Sequence, residues 1–285
     1  MESTLIKISN HRVMNKNKIF AVILILGCIL ACTKVTTLDD LAARAVVEGY
    51  LQSGEPINIK ITKEIKFGGT DTVAIPINGL SVIVKDNTDN KSYTLTNVDS
   101  GFYKSQVLIQ SGHSYDLGFT YNGQSVTAST TVPSRPKGFA LGSAEVTITP
   151  VVLGGGFGGG RPNFGDPIAL SWINNDQTFY LTAYKNLEAS QESIITGNTN
   201  FGFRRRPTFN EPTQGSTAQI RPIQLEFFGH FDIYCMHVQP EYAALYSQTS
   251  NTSISIAPPP TNITNGLGIF TGFAADTLKF FVRKG

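Results

Sequence analysis

Hydrophobic and polar side chains alternate with period two from Arg44 to Pro133, the pattern of strands that bury one face and wet the other. Ala45 to Leu51 opens the series. Beyond the turn Ser53-Gly54-Glu55-Pro56, Ile57, Ile59 and Ile61 fall on one face, with Asn58, Lys60 and Thr62 on the other. Leu80, Val82 and Val84 repeat the pattern, Asn87 to Asn90 reverses the chain, and Tyr93 and Leu95 face inward on the return. Two further strands carry Tyr103, Val107 and Ile109, then Tyr115, Leu117, Phe119 and Tyr121. Asn122-Gly123 suits a tight hairpin because both positions tolerate positive φ. A last strand runs from Gln124 to Val132 and stops at Pro133. Roughly seven strands over 44–133 predict an immunoglobulin-like or transthyretin-like sandwich. This stretch has no cysteine pair and no tryptophan, which excludes the antibody subtype.

Ser134-Arg135-Pro136-Lys137-Gly138 reads as a linker, and 139–285 as a second β-rich domain with one short helix. Its expected strands are Glu145 to Val152, then Ile168 to Ile173 and Thr178 to Asn186 as a hairpin through Asn174-Asn175-Asp176, then Arg221 to Phe228, Phe231 to Val238 and Thr277 to Val282. Trp172, isolated on a strand, reads as a core residue. Pro240 to Gln248 predicts the helix, with Tyr242, Leu245 and Tyr246 on one side. Ala257-Pro258-Pro259-Pro260 reads as stiff extended chain. Gly266 and Gly268 read as a tight turn that lets the backbone approach another segment.

A different pattern precedes all of this. Thirteen residues, Ile19 to Ala31, form an uninterrupted run that is apolar except for being flanked by Lys16 and Lys18 before it and Cys32 after it. As a helix the run spans about 20 Å, short of the ~30 Å hydrocarbon core of a bilayer. A basic flank, a short apolar core and a small residue before a cut are the parts of a secretory signal. Ile29-Leu30-Ala31-Cys32 resembles the lipobox of a bacterial lipoprotein, which implies lipidation of Cys32 and residues 1–31 as the signal peptide. Met14 is an alternative start and Cys28 a rival cut, disfavoured because it strands Ile29 and Leu30 on the mature end. Residues 32–43 then form a tether, whose span from Thr33 to Leu41 reaches no more than ~30 Å.

Removing the signal changes what the charge says. The chain holds 23 Lys+Arg and 21 Asp+Glu, and the first 31 residues take Lys7, Arg12, Lys16, Lys18 and Glu2, leaving 19 basic against 20 acidic. No basic field for nucleic acid remains. Lipidation would consume Cys32 and leave Cys235 alone, so no disulfide framework forms.

Candidate chemistry is sparse. Gly154 to Gly160 invites a phosphate-cradle reading, but no Gly-Lys-Ser/Thr and no helix pattern follow, so it reads as a flexible loop. His230, Asp232, Cys235 and His237 invite a metal site. On one strand the first two share a face and the last two share the other, so the four do not converge. Cys235 beside His237 lacks a third orienting group and reads as a buried inert thiol. No G-x-S-x-G or H-E-x-x-H occurs, so no catalytic residue and no cofactor is assigned. Glu188 to Gln219 is too long for a plain connection and carries Phe201, Phe203, Arg204, Arg205, Arg206 and Phe209. These read either as a solvated basic turn or as a contact surface for a protein partner or anionic headgroups. The contact reading is preferred because arginine and aromatics are enriched at interfaces.

Several stretches together resemble one family. Val46-Val47-Glu48-Gly49-Tyr50-Leu51 after a lipobox, Gly101-Phe102-Tyr103, Gly112-His113-Ser114-Tyr115-Asp116-Leu117, Ser125-Val126-Thr127-Ala128 running to Val132-Pro133, Phe164-Gly165-Asp166-Pro167 and Asn262 to Phe270 occur in the order seen in Bacteroidetes lipoproteins of the domain of unknown function family 4249. The resemblance implies no chemistry and brings no catalytic residues. It implies a TonB-dependent outer-membrane transporter as partner, because such lipoproteins are commonly encoded beside one. It also implies a lipid-anchored place in the outer membrane, at the cell surface in preference to the periplasmic face. Asp71-Thr72-Val73 and Asp276-Thr277-Leu278 match the short O-glycosylation pattern that goes with that assignment. The expected function is a non-catalytic binding or accessory partner in nutrient uptake. The alternatives are a structural or adhesive surface module and, behind it, a hydrolase using Asp166 or His230.

Overall fold

The first strands follow the alternation closely: β1 (Ala45–Gln52), β2 (Pro56–Lys63), β3 (Ile83–Asp86), β4 (Lys91–Thr94), β5 (Thr96–Asn97), β6 (Phe102–Leu108), β7 (Ser114–Tyr121) and β8 (Gln124–Thr131). The computed structural model describes residues 43–65, 72–153, 165–197, 209–247 and 260–285. One layer pairs β1, β2, β6 and β5 in that spatial order, and the other pairs β4, β3, β7 and β8. Between them lie Val47, Leu51, Ile57, Ile59 and Ile61 from the first layer and Val82, Val84, Leu117 and Phe119 from the second and its approach, all buried. Two core tyrosines satisfy their hydroxyls locally. Tyr103 donates to the Ile77 carbonyl at 2.8 Å, and the Tyr115 hydroxyl accepts from the Gln110 N–H at 2.9 Å. Thr62, expected on the wet face, is covered where Pro76 bridges it.

The remaining elements are β9 (Lys137–Leu141), β10 (Glu145–Ile148), β11 (Val151–Leu153), β12 (Ile168–Ile173), β13 (Phe179–Asn186), β14 (Ile195–Gly197), β15 (Thr217–Ile220), β16 (Gly229–Val238), helix α1 (Pro240–Ser247) and β17 (Gly266–Lys284). The fold is all-β with one short α-helix among the described residues. A second core sits between the β13–β16–β17 layer, through Tyr184, Phe231, Ile233, Cys235 and Phe280, and a three-stranded sheet of order β15-β12-β9, through Leu170, Trp172 and Ile220.

One strand belongs to both cores. β17 lies parallel to β1 from Ala45↔Gly266 to Gln52↔Phe273, then antiparallel to β16 from Val238↔Phe273 to Gly229↔Val282. The large sheet therefore runs β13-β16-β17-β1-β2-β6-β5, and residues 43–285 cluster as one compact unit. Gly268, at φ +94°, sits so close to β1 that a Cβ there would lie 2.1 Å from the Val47 carbonyl oxygen. The Gly266–Gly268 stretch is thus the start of a strand in close parallel approach, not a turn. Gly49 on β1 makes room in turn for the fully buried Phe270 ring, which a Cβ would meet at 2.7 Å.

Two other expectations are corrected. Ile168 to Asn186 is not a hairpin: β12 pairs with β9 and β15 while β13 pairs with β16, in different sheets. Asn174 marks the turn as its sequence suggests, but its amide donates to the Thr178 and Gln214 carbonyls and pins a crossover. Arg221 to Phe228 holds a 3-10 turn at Pro222–Gln224, and the strand comes earlier as β15. Pro222 has no N–H to give to a ladder.

Candidate functional site

The outward faces of β1, β2 and β6 form the floor of an open groove of about 690 Å³. Alternation along these strands dictates what it offers. Glu48 lies across from Lys60 and Lys60 across from Phe102; one row on, Asn58 lies across from Lys104. The Lys60 and Lys104 ammonium groups stand 5.9 and 5.8 Å from the Phe102 ring centroid, within cation–π range. Lys60 also faces a Glu48 oxygen at 3.6 Å, whereas Lys104 is exposed in the next row, and Glu55 lines the same groove.

Helix α1 packs against Tyr50, at the β1 edge of the groove. Its first turn is fastened to β8 and β17 by Glu241, whose Oε1 accepts from Thr130 Oγ1 at 2.8 Å and Thr271 Oγ1 at 3.1 Å, while Thr130 Oγ1 itself accepts the Gly272 N–H at 2.9 Å. From the helix Tyr242 meets Tyr50 edge-on at 6.4 Å between centroids, Tyr246 follows Tyr242 at 5.7 Å, and Phe209 meets Tyr246 edge-on at 6.2 Å. The row ends on two exposed rings, Tyr50 at 45% and Phe209 at 42% exposure. Under the helix a cleft of about 110 Å³ opens between Tyr50 and Tyr242, floored by Leu181, Met236, Val238 and Phe273. Burial raises the Tyr50 and Tyr242 phenols, so both remain protonated hydroxyls at neutral pH.

Of the residues expected at a contact surface, only Phe209 falls among those described. It bridges Ala183 at the β13 edge, and the next residue, Asn210, donates its N–H to the Thr182 carbonyl at 2.8 Å. Cys32, Phe201, Phe203, Arg204, Arg205 and Arg206 lie outside the described residues, as does the Gly154 to Gly160 loop. The groove and the aromatic row were not singled out in the sequence. Their signal was the identity of the wet-face residues of β1 and β6, Tyr50 and Phe102, in strands read for their buried faces.

The histidines and the cysteine find separate partners. His230 Nδ1 lies 2.8 Å from Glu188 Oε1, and Lys279 donates to Asp232. His237 stacks on Tyr180 at 4.6 Å and reaches the Ser134 carbonyl at 3.0 Å, and burial lowers its imidazole. Burial pushes the Cys235 thiol up to about 12, which keeps it protonated. A cluster the sequence reading missed joins Asp86, Asp89 and His113, with one ligand atom from each within 4.8 Å of the others. It is accounted for as a turn clamp. Buried Asp86 accepts from the Thr88 and Asp89 N–H groups at 3.0 and 3.1 Å and from His113 Nδ1 at 2.8 Å, and Lys91 stands 3.2 Å from Asp89. Burial alone would raise the Asp86 carboxyl; the hydrogen bonds from His113 and the turn backbone overcome it and hold it below the usual range. Asp166, offered for hydrolysis, is exposed at the edge of the described residues.

Among the described residues no helix is long and apolar enough to cross a membrane. A family model described as "Domain of unknown function (DUF4249)" matches residues 33–279. No curated protein matches the chain.

Proposed function

Because the chain belongs to the DUF4249 family, whose description assigns no activity, we propose its role from its own residues: a lipid-anchored outer-membrane protein that serves as a non-catalytic accessory partner of a TonB-dependent transporter. The observation that carries the reading is Ile29-Leu30-Ala31-Cys32 behind a short apolar run, followed by the short tether 32–43. An anchor at Cys32 restricts the β-body to the first tens of ångströms above a membrane, where an integral barrel is an accessible partner. The groove beside α1 supports a binding role, since it mixes exposed Tyr50 and half-buried Phe102 with both signs of charge.

Two measurements test it. Cys32→Ala should move the protein from the membrane to the soluble fraction and abolish incorporation of labelled palmitate; retention of both overturns the anchor. Affinity capture of the native protein in mild detergent should bring down a β-barrel transporter, and its clean absence overturns the partnership. The sandwich also permits an adhesive surface role. Protease shaving of intact cells separates the two, because a protein on the periplasmic face is spared and adheres to nothing outside.

A further inference from the structure

The groove, the helix cleft, the outer face of the β4-β3-β7-β8 sheet, the Asp86 clamp, the buried Cys235 and the Trp172 indole stand out among the described residues. Only the first two combine into a surface with a defined complement. They are continuous, because Tyr50 and Phe273 line both.

From this continuity we infer that the groove and cleft together bind a segment of a partner polypeptide, which inserts one apolar side chain between Tyr50 and Tyr242 and sets one carboxylate on Lys104, clear of Glu48 and Glu55 on the groove's lining. The cleft selects the first group. Its floor of Leu181, Met236, Val238 and Phe273 is apolar, and about 110 Å³ accommodates one aliphatic or aromatic side chain. The hexoses of a neutral glucan or mannan carry no apolar branch to fill it. The charge layout selects the second group. Glu48 engages Lys60, whereas Lys104 stands in the next row opposite an uncharged amide, Asn58, and its nearest aromatic, Phe102, is already faced by two ammonium groups. A carboxylate arriving there meets Lys104 and the Asn58 amide together. Tyr50 and Lys104 stand on strands separated by β2 alone, so about 10 Å divides them, the length of about three residues of extended chain. The ligand is therefore an apolar residue and an Asp or Glu spaced two to four positions apart. Tyrosine at the rim suits an anchor site, because its ring adds contact area while its hydroxyl stays in water. This deepens the reading of the protein as an accessory partner and supplies the face that the partner would occupy.

The test selects a phage-displayed library of random 12-residue peptides against the detergent-solubilised full chain, then measures the recovered sequences as labelled synthetic peptides. The expected peptides share the apolar–acidic pair. Lys104→Glu weakens them at least tenfold, Met236→Trp, which fills the cleft, does the same, and Lys137→Glu on distant β9 leaves them unchanged. Replacing the peptide's Asp or Glu by Lys restores binding to Lys104→Glu, a readout that a misfolded variant cannot give. The inference falls if the recovered peptides lack the pair, if they bind Lys104→Glu as tightly as the parent, or if neutral glucan or mannan hexasaccharides bind and displace them. Capture from cells separates this result from the broader reading. A transporter retained equally by the parent and by Lys104→Glu overturns the docking face and leaves the partnership standing. Peptides that bind as expected while no transporter is captured overturn the partnership and leave the docking face standing.

Discussion

In the core drawn mainly from residues 45–132, each strand has a sequence neighbour as a partner: β1 pairs with β2, β3 with β4, β5 with β6 and β7 with β8. In the core drawn from residues 139–282, most partners are distant. β12 reaches back to β9 and on to β15, β13 waits for β16, β11 for β14, and β10 pairs parallel with the end of β17. Both cores use the same inward Ile, Leu, Val and aromatic side chains. They differ in wiring, and β17 is the one strand that serves both. The first half closes its own hairpins, whereas the second takes shape only when remote strands find one another.

The largest effect should come from the shared strand. Gly268→Ala drives a Cβ into the Val47 carbonyl at a positive φ, so a loss of more than about 4 kcal/mol is expected, enough to unfold both halves together. Thermal melts followed by circular dichroism check it, and a variant that loses only one half breaks the comparison. Glu241→Ala comes next. It strips two hydroxyl donors of their shared acceptor between β8, β17 and α1, at a cost of about 1–3 kcal/mol by urea titration.

A smaller effect belongs to the first half alone. The Asp86 carboxyl is lower in the folded chain than in the unfolded one, so its contribution is present above the unfolded pKa and is lost as pH falls through the folded one. Stability of the parent should therefore decline more steeply than that of Asp86→Asn as pH falls from neutral through the carboxylate range. Parallel pH profiles would contradict the clamp. The smallest effect belongs to the second half. Trp172 is buried and its Nε1–H meets no acceptor among the described residues, so Trp172→Phe discards an unsatisfied donor while opening a modest void. The two oppose, and a change within about 1 kcal/mol in urea is expected.

These contrasts also mark what the sequence makes legible. The inward positions of the first sandwich are readable because half-buried strands alternate, and Ile57, Ile59, Ile61, Leu117 and Phe119 are all in the core. Trp172 is core as its strand position suggests, Pro240 opens the helix, and Cys235 is buried as an isolated strand cysteine should be. Partner choice was illegible. Asn174 announces a turn identically whether the chain folds back as a hairpin or crosses to another sheet, and Gly266 and Gly268 look alike as a turn or as the foot of a close parallel strand. The groove escaped for a related reason. Tyr50 and Lys104 matter through a register between β1, β2 and β6, and through a helix placed almost two hundred residues later.

The coupling of the two halves through β17 can be measured directly, because the chain's one tryptophan, Trp172, lies in the second core and the β7–β8 amides of Leu117 and Ala128 lie in the first. Trp172 fluorescence and hydrogen exchange at those amides, followed through the same urea titration, should give one coincident midpoint. Two separated midpoints, with the β7–β8 amides still protected after the Trp172 signal is lost, would contradict it.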